Sequence, residues 1–294
     1  MRSNGTSHCL FSMIALGVLL SSGAAVPAQT QPASSHTPTA SPPPSLEKEF
    51  FKNVLRDQKA IWTAPFRLHG KDAKWLLPAG IGTMALITTD RITGDKMAGS
   101  ERQVKASRII SYGGSVYGAA AVVGTFYLLG RTRNNERAKE TGILSAEASL
   151  DGFMVSSALK GVSQRARPLA GIERSEFFDG GNSFPSGHSI QAWSVATIIA
   201  NEYHDHRLVQ VAAYGLATAV SLSRFTGHYH YLSEVLVGSA IGYGIGRYVY
   251  HTHHRARSES AGDEEPPTAS RWPAITPQYS RRARQYGVGL TWSF

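Results

Sequence analysis

Cysteine is almost absent from this sequence, and acidic residues are outnumbered by basic ones. Of 294 residues one is a cysteine, Cys9, and it lies in an N-terminal apolar run that we expect to be removed on export. The exported chain would then have neither a disulfide nor a thiol nucleophile, so its stability must come from packing alone. The formal charge of +9 suits an anionic partner such as a phosphate ester or a lipid headgroup.

The sequence also lacks two patterns that would point to other classes of protein. No basic stripe is interleaved with aromatic side chains, so nucleic acid is not predicted as a partner. No alternating strand and no repeat period is found in the middle of the chain, where apolar residues recur at helical spacing. The segments with helical character are 46–62, 74–89, 107–130, 141–160, 188–202, 207–223 and 232–250. We therefore predict an all-α fold, a helical bundle of about six core helices plus an N-terminal amphipathic helix.

The N-terminus has the features of a secretory signal. Arg2 precedes an apolar run from Cys9 to Leu20, and Val26-Pro27-Ala28 resembles an A-x-A cleavage site. Residues 1–28 are therefore predicted to be a signal peptide. Residues 29–45 are rich in Pro, Ser and Thr and have little to bury, so we predict a flexible linker there.

The remaining chain divides into a helical domain, residues 46–250, and a polar linker with a C-terminal tail, residues 251–294. Apolar residues alternate from Tyr286 to Phe294, as on one face of an extended strand. Such an ending is typical of outer-membrane barrels, but one strand cannot form a barrel. We predict an edge strand or an ordered tail.

The apolar segments do not fit a simple transmembrane arrangement. Residues 109–130 carry no charge and are long enough to span, but Gly, Ser and Tyr dilute their apolar character. If all six core segments spanned after a cleaved signal, the basic loop 131–139 would lie outside, against the positive-inside rule. We therefore predict an exported, periplasmic bundle, soluble or membrane-associated, with segment 46–62 as a possible contact with a membrane surface.

Three short stretches combine basic residues or histidine with helix-terminal signals. They are Lys160 to Arg167-Pro168, Pro185-Ser186-Gly187-His188, and Ser223-Arg224 to His230. Alternate loops of an up-and-down bundle lie at the same end, so the three stretches can converge beside a helix N-terminus. The cations collected there would be Lys160, Arg165, Arg167 and Arg224. Each stretch by itself is also compatible with a structural role, as a solvated cationic helix end, a turn with a helix cap, or a structural histidine. Together the three stretches predict a site for a phosphate dianion, and the two histidines indicate covalent catalysis with acid–base help.

The order and spacing of these residues resemble the superfamily of type 2 phosphatidic acid phosphatases, bacterial class A acid phosphatases and vanadium haloperoxidases. Its motifs are K-x6-R-P, P-S-G-H and S-R-x5-H-x3-D. The ten matching residues are Lys160, Arg167, Pro168, Pro185, Ser186, Gly187, His188, Ser223, Arg224 and His230. The resemblance implies an all-α bundle that hydrolyses phosphoric esters.

One position departs from the motif, because the family's Asp is Glu234 here. Glu234 is four residues after His230, at the start of a predicted helix, so its carboxylate can still approach His230. Its side chain is longer than that of Asp and must adopt a different conformation to accept a hydrogen bond from Nδ1. We expect reduced or retuned activity. His228 competes for the nucleophile's role, but the x5 spacing favours His230, so we place His228 at the rim.

The resemblance implies a role for each motif residue. The phosphate oxygens would be held by Lys160, Arg167, Ser186, Gly187 and Arg224. His230 would be the nucleophile, Glu234 would fix its tautomer, and His188 would be the general acid. No metal or other cofactor is implied.

Two alternatives stay open from the sequence. The same residues could hold vanadate as the cofactor of a haloperoxidase, with His230 as the axial ligand. A non-catalytic phosphate-binding or scaffold protein is favoured only by Glu234 in place of Asp. The substrate stays open between phosphorylated small molecules and lipid phosphates or diphosphates, and the oligomeric state is unknown.

Overall fold

The protein folds as a helical bundle, described in a computed structural model over residues 46–67, 69–70, 73–96, 100–168, 176–254, 274–280 and 285–291. The predicted all-α class is confirmed. The eight α-helices of the described residues are α1 (Leu46–Thr63), α2 (Ala73–Lys96), α3 (Glu101–Ser111), α4 (Val116–Thr132), α5 (Glu136–Ser163), α6 (Gly187–Glu202), α7 (Arg207–Thr226) and α8 (Leu232–Val249). The predicted signal peptide, residues 1–28, and linker, residues 29–45, lie outside the described residues.

Helix α6 lies at the centre of the bundle and contacts α4, α5, α7 and α8. Three glycines spaced four apart, Gly238, Gly242 and Gly246, form the face of α8 that packs on it. A Cβ at any of them would lie 2.4–2.7 Å from a backbone oxygen of α6 or of its N-cap Ser186, so only glycine permits this approach. The approach brings the two helix starts together, and the Ser186 N–H donates to the Glu234 carbonyl oxygen at 3.1 Å.

The apolar core lies between α5, α6 and α8. Its most buried members are Leu144, Ala148, Ile190, Ile198 and Val249. Ile190 and Ile198 stand two turns apart on α6, which is the spacing of a helix face turned toward a core. Burying each such side chain contributes roughly 1.5–3 kcal/mol, so this packing holds the helices that carry the motif loops.

The segment predicted as one helix over 107–130 is instead two helices, so that prediction is wrong. A 3₁₀ turn over Tyr112–Gly114 separates α3 from α4, and the chain bends by 48° at the break. The cause is local: the Ser115 side chain accepts a hydrogen bond from the Gly118 N–H at 3.1 Å and caps a new helix.

Helix ends differ from the predicted ones where a capping residue was overlooked. Helix α5 begins at Glu136 rather than at residue 141, because the Asn135 side chain accepts a hydrogen bond from the Ala138 N–H at 3.0 Å. Helix α8 continues into a π-helical turn over Tyr250–His254.

The predicted amphipathic helix at the start of the domain is α1, but it buries polar residues as well as apolar ones. Its buried residues are Leu46, Asn53, Val54, Asp57 and Gln58. Two large apolar residues of this helix, Phe51 and Leu55, are 76% and 69% exposed. The inward face is polar because α5 presents carboxylates to it.

Two carboxylates of α5 and one of α1 form a buried acidic cluster where the two helices meet. Asp57, Glu147 and Asp151 are fully buried, and each keeps one oxygen without a hydrogen-bond partner among the described residues. Side-chain amides of α1 donate to the other oxygens of Glu147 and Asp151 at 3.0 and 2.8 Å, and His253 Nε2 lies 2.7 Å from Asp57 Oδ2. Burial raises the pKa of Glu147 and the pKa of Asp151 to about 7.

The C-terminal tail contains an antiparallel hairpin of two strands, β1 (Ala274–Ser280) and β2 (Gln285–Thr291). The register pairs Ala274 with Thr291 and Ser280 with Gln285. Strand β2 corresponds to the strand predicted near the C-terminus, whose last residues, 292–294, lie outside the described residues. Its partner β1 was not predicted, because its sequence contains Pro277.

Within the described residues, α7 is the one helix long and apolar enough to cross a membrane by itself. Helix α3 with its 3₁₀ turn, taken together with α4, passes the same test as a bent pair. At most two spans are therefore compatible with the described helices by length and composition.

Candidate active site

The three motif stretches converge at one end of the bundle. Lys160 lies in the last turn of α5, Ser186 caps the start of α6, and Arg224 lies in the last turn of α7. A Cβ on Gly187 would lie 3.6 Å from Lys160 Nζ, which places the ammonium group beside the first residue of α6. Cations and a helix N-terminus thus share one site, an arrangement that favours an anion.

Backbone hydrogen bonds hold the loop between α5 and α6. Gln164 ends α5 with a left-handed φ of 43°, and its carbonyl oxygen accepts from the N–H groups of Asp179 and Gly181 at 3.0 and 2.9 Å. The Arg165 carbonyl oxygen accepts from the Ser183 N–H at 2.9 Å. These bonds fix Ser183 and the chain that leads into the P-S-G-H motif.

His230 is buried and held through one ring nitrogen. Its Nδ1 lies 2.8 Å from Glu234 Oε2. The Ser183 hydroxyl donates to the same carboxylate oxygen at 2.5 Å, and the Tyr231 N–H donates to it at 3.2 Å. A carboxylate at Nδ1 selects the tautomer with its proton there, which leaves Nε2 with a lone pair.

Arg165 does not join the phosphate-facing cations, and the prediction that it would is wrong. Its side chain is fully buried, with Nη2 3.0 Å from Asp90 Oδ2 and Nη1 3.3 Å from Glu234 Oε1. The same Nη1 donates to Ser233 Oγ at 3.1 Å, and Asp90 accepts from the Ser233 N–H at 3.1 Å. Two buried carboxylates compensate this guanidinium, so its charge is directed to them rather than to a ligand.

The other two arginines predicted to bind phosphate, Arg167 and Arg224, remain available for an anion. Arg224 is 7% exposed, its guanidinium lies 4.3 Å from the centroid of the Tyr229 ring, and its Nε has no hydrogen-bond partner among the described residues. Arg167 is half-buried, and its Nε donates to Asn182 Oδ1 at 2.9 Å. A buried guanidinium N–H without an acceptor is costly, and a bound anion would supply the acceptor.

These positive charges lower the basicity of their neighbours. Burial, and then the charge of Arg224, lowers the pKa of His188 to about 3. Burial, and then the charge of Arg167, lowers the pKa of Lys160 to about 8. The pKa of His230 falls well below its usual value, first through burial and then through the same cations. Both histidines are therefore neutral in the free site.

Glu234 has the opposite shift. Burial raises its pKa to about 7, although the hydrogen bond from Ser183 and the charge of Arg165 both lower it. Its oxygens accept from two donors and approach a guanidinium, so above neutral pH the side chain is a carboxylate. The Glu234 carboxylate thus reaches Nδ1 of His230, and its pKa is raised by burial.

The two neighbouring histidines have different surroundings. His230 is 2% exposed, whereas His228 is partly exposed and adopts a left-handed φ of 61°. His228 therefore lies at the rim, as the spacing of the motif predicted.

Sequence reasoning missed Ser183 and Asp90. Ser183 lies three residues before Ser186 and offered only the weak signal of a small polar residue next to a motif. Asp90 lies in α2, and 143 residues separate it from Ser233, so no local pattern connects them.

A separate cluster with metal-ligand geometry lies at the other end of α5. Among the described residues it is the one group of its kind, and its members are Glu140, Glu202 and His254, with ligand atoms within 4.8 Å of one another. His254 Nδ1 lies 3.1 Å from Glu140 Oε1. The cluster is remote from the motif residues, which occupy the last turn of α5.

One family model matches part of the chain. The family model described as the PAP2 superfamily matches residues 139–258, which include every motif residue. A curated lipid A 1-phosphatase from Porphyromonas gingivalis is 37% identical over 70 residues, which are 24% of this chain and 16% of that protein. The match thus spans less than a fifth of the curated relative.

Two solved structures resemble the chain at low sequence identity. One is a transmembrane PAP2 type phosphatidylglycerolphosphate phosphatase from Bacillus subtilis, with a TM-score of 0.48 and 18% identity, covering 71% of this chain and 96% of that one. The other is Aquifex aeolicus LpxE, with a TM-score of 0.43 and 19% identity, covering 55% and 92%.

Proposed function

We propose that this chain, whose residues 139–258 match the PAP2 superfamily model, is a phosphatase acting on phosphomonoesters or lipid phosphates through a phosphohistidine intermediate. One observation carries the proposal above the others. A buried histidine is held at Nδ1 by a carboxylate 2.8 Å away, in a site where Arg224 Nε has no partner among the described residues. Binding phosphate alone would not require such a histidine.

In this proposal the phosphate lies among the cations at the start of α6. Lys160, Arg167 and Arg224 bind its non-bridging oxygens, together with the Gly187 N–H. Ser186 adds a hydroxyl donor: its Oγ accepts from the Ser189 hydroxyl at 3.0 Å, so its own proton is left for the phosphate. These groups stabilise the charge of the transition state and supply its positive field from the chain's own residues.

The first chemical step forms a bond between His230 Nε2 and phosphorus, while the bond from phosphorus to the ester oxygen breaks. Glu234 accepts the hydrogen bond from Nδ1–H and stabilises the positive charge that develops on the ring. His188 gives a proton to the departing oxygen, which leaves as an alcohol.

The second step releases phosphate. His188, now neutral, takes a proton from a water molecule whose oxygen attacks phosphorus, and the bond to His230 Nε2 breaks. The free enzyme is regenerated, and the cycle is ping-pong.

The low pKa of His188 constrains when it can act as an acid. Burial and Arg224 lower that pKa to about 3 in the free site. A bound phosphate dianion would offset the charge of the surrounding cations and raise the pKa of His188 again. In this proposal the substrate therefore brings about the protonation of its own general acid.

We also propose that the domain over residues 46–250 acts outside the cytoplasm, after removal of residues 1–28. The signal-like N-terminus supports export, and the apolar side chains exposed on α1 and α2 support contact with a membrane surface. Carbonate washing of membranes from cells that make the protein tests the attachment. Release by carbonate indicates a peripheral protein, and retention indicates an integral one.

The catalytic proposal is tested with the purified chain and p-nitrophenyl phosphate or phosphatidate in EDTA. We expect hydrolysis by the wild type and a loss of at least about a thousandfold in His230→Ala. His228→Ala is the matched control, two residues away at the rim, and should retain most of the activity. Full activity in His230→Ala, or loss of wild-type activity in EDTA, would contradict the proposal.

A further inference from the structure

Arg165 and Arg224 are both buried, but they are held in place by different kinds of group. Arg165 pairs with the carboxylates of Asp90 and Glu234 at 3.0 and 3.3 Å. Arg224 forms no ion pair with a carboxylate of the described residues. Its guanidinium carbon instead lies over the face of the Tyr229 ring, 4.3 Å from the ring centroid. The contact that positions Arg224 is therefore a cation–π contact.

The kind of contact decides whether a guanidinium can still bind a ligand. A carboxylate accepts hydrogen bonds from the edge of a guanidinium, which is the edge that a phosphate also uses. An aromatic ring covers one face of the guanidinium and leaves the N–H groups at its edge available. Arg224 Nε accordingly has no hydrogen-bond partner among the described residues. Tyr229 can thus hold Arg224 without competing with the phosphate.

The Tyr229 ring is itself fixed by close contacts. A Cβ on Gly227 would lie 2.8 Å from Tyr229 Cδ2 and Cε2, so the ring packs directly on the Gly227 backbone. At the edge of the ring, Arg108 Nε donates to the Tyr229 hydroxyl at 3.4 Å. The Tyr229 N–H donates to the Arg224 carbonyl oxygen at 3.0 Å. The two residues are therefore joined through their backbones as well as through their side chains.

Helix α3, which carries Arg108, is attached to the end of α7. Ser107 Oγ lies 2.8 Å from Thr226 Oγ1, and Gln103 Nε2 donates to the Thr226 carbonyl oxygen at 3.3 Å. These bonds hold α3 against the turn that contains Tyr229.

We propose that Tyr229 is a positioning residue for the phosphate site, which holds Arg224 against its ring before the substrate binds. The inference rests on the proposed function, in which Arg224 binds a non-bridging phosphate oxygen. Tyr229 is partly exposed, so a smaller apolar side chain at this position would let the guanidinium turn toward water. Phosphate binding would then have to immobilise Arg224 again, which lowers the affinity. Tyr229 occupies a variable position of the S-R-x5-H motif, so the motif does not predict this role.

Calorimetry with inorganic phosphate tests the positioning role, because unfolded chains change the stoichiometry of binding and not its Kd. We expect Tyr229→Leu to raise the Kd about threefold to tenfold, the range that immobilising one long side chain corresponds to. Tyr229→Phe keeps the face of the ring, so its Kd should stay within about twofold of the wild-type value. Tyr243→Leu is the matched control, because it removes an exposed tyrosine of α8 and should leave the Kd unchanged.

A double variant tests whether Tyr229 acts through Arg224. Arg224→Gln should weaken phosphate binding by itself. If the ring acts on this guanidinium alone, adding Tyr229→Leu to Arg224→Gln should change the Kd by less than about twofold. A further rise as large as the one that Tyr229→Leu causes in the wild-type background would overturn the proposed route through Arg224.

The remaining outcomes separate this inference from the proposed function. An unchanged or lower Kd in Tyr229→Leu, or in Tyr229→Met if the leucine variant does not fold, overturns the positioning role. An equal rise in Tyr229→Phe assigns the effect to the hydroxyl and also overturns it. A chain that binds phosphate in a Tyr229-dependent way but hydrolyses neither p-nitrophenyl phosphate nor phosphatidate would support the inference and refute the phosphatase proposal.

Discussion

Arg165 contacts one oxygen of the Glu234 carboxylate while His230 contacts the other. Nη1 lies 3.3 Å from Oε1, and Nδ1 of the histidine lies 2.8 Å from Oε2. Asp90 anchors the guanidinium from the other side at 3.0 Å. The longer arm of Glu234 is thus held in place by a buried ion pair that reaches into α2, so Arg165 is a positioning residue for the proposed nucleophile.

Replacing Arg165 by Met should impair both folding and activity. Two buried carboxylates lose their cation, which costs on the order of 3–5 kcal/mol in the free energy of unfolding. In the folded fraction the pKa of Glu234 should rise further, because the charge of Arg165 lowers it. The acid limb of kcat/KM should then move to higher pH, measured beside thermal unfolding. If the acid limb of kcat/KM does not move, Arg165 has a structural role only and does not set the pKa of Glu234.

Changing the carboxylate of Glu234 to an amide should remove most of the activity. In Glu234→Gln the amide can donate to Nδ1 and stabilise the wrong tautomer, and we expect a loss in kcat of about three orders of magnitude. Glu234→Asp keeps the charge but cannot span from His230 to Arg165, so we expect a smaller loss of roughly tenfold. Steady-state kinetics at pH 8 compare the two. Equal losses would show that the arm length, and not the tautomer, limits the rate.

With p-nitrophenyl phosphate, whose leaving group needs no general acid, the pH profile of kcat/KM should be a narrow bell. The pKa of Glu234 is raised to about 7, so activity should increase with pH as this group loses its proton. The pKa of Lys160 is lowered to about 8, so activity should decrease as the phosphate loses this cation. Lys160→Arg should move the alkaline limb upward and leave the acid limb unchanged. An alkaline limb that stays in place would exclude Lys160 as its cause.

The buried acidic cluster should make the protein less stable as pH rises. Glu147 and Asp151 have pKa values raised to about 7 in the folded state, against ordinary values of 4.5 and 3.8. The folded state therefore binds more protons than the unfolded state between about pH 4 and pH 7, and the free energy of unfolding falls across that window. Urea unfolding at pH 5 and pH 8 measures this fall.

The double variant Glu147→Gln, Asp151→Asn is the control for that prediction. It should flatten the pH dependence and be more stable than the wild type at pH 8, since the neutral amides no longer carry buried charge. Stability that rises from pH 5 to pH 7 in the wild type would contradict the assignment of the raised pKa values to these two acids.

Much of the site follows from local sequence. The P-S-G-H motif specifies a capped helix start, and Lys160 and Arg224 fall in last turns that an up-and-down bundle brings to the same end. Arg165 shows the limit of this reasoning, because it lies two residues before Arg167 in the same basic stretch and yet belongs to the interior. The direction of the Arg165 side chain depends on Asp90 in α2. The spacing of residues around Arg165 does not predict this distant partner.

The fold, like the site, follows only partly from local sequence. The sequence located α6, α7 and α8 because each is a continuous, largely apolar segment with a clear capping or charged boundary. It missed the break at Ser115, where one side chain caps a new helix inside an uncharged run. Periodicity also does not predict the polar inward face of α1, because the carboxylates of α5 that make a polar face favourable there belong to another part of the chain.

The proposed covalent intermediate can be trapped directly. p-Nitrophenolate leaves without a general acid, so His188→Ala should still be phosphorylated by p-nitrophenyl phosphate but should hydrolyse the adduct slowly. Peptide mass spectrometry after an alkaline quench should then find phosphate on His230, and none in the double variant with His230→Ala. A phosphate-free His230 together with continued turnover, or the adduct on another residue, would contradict the mechanism.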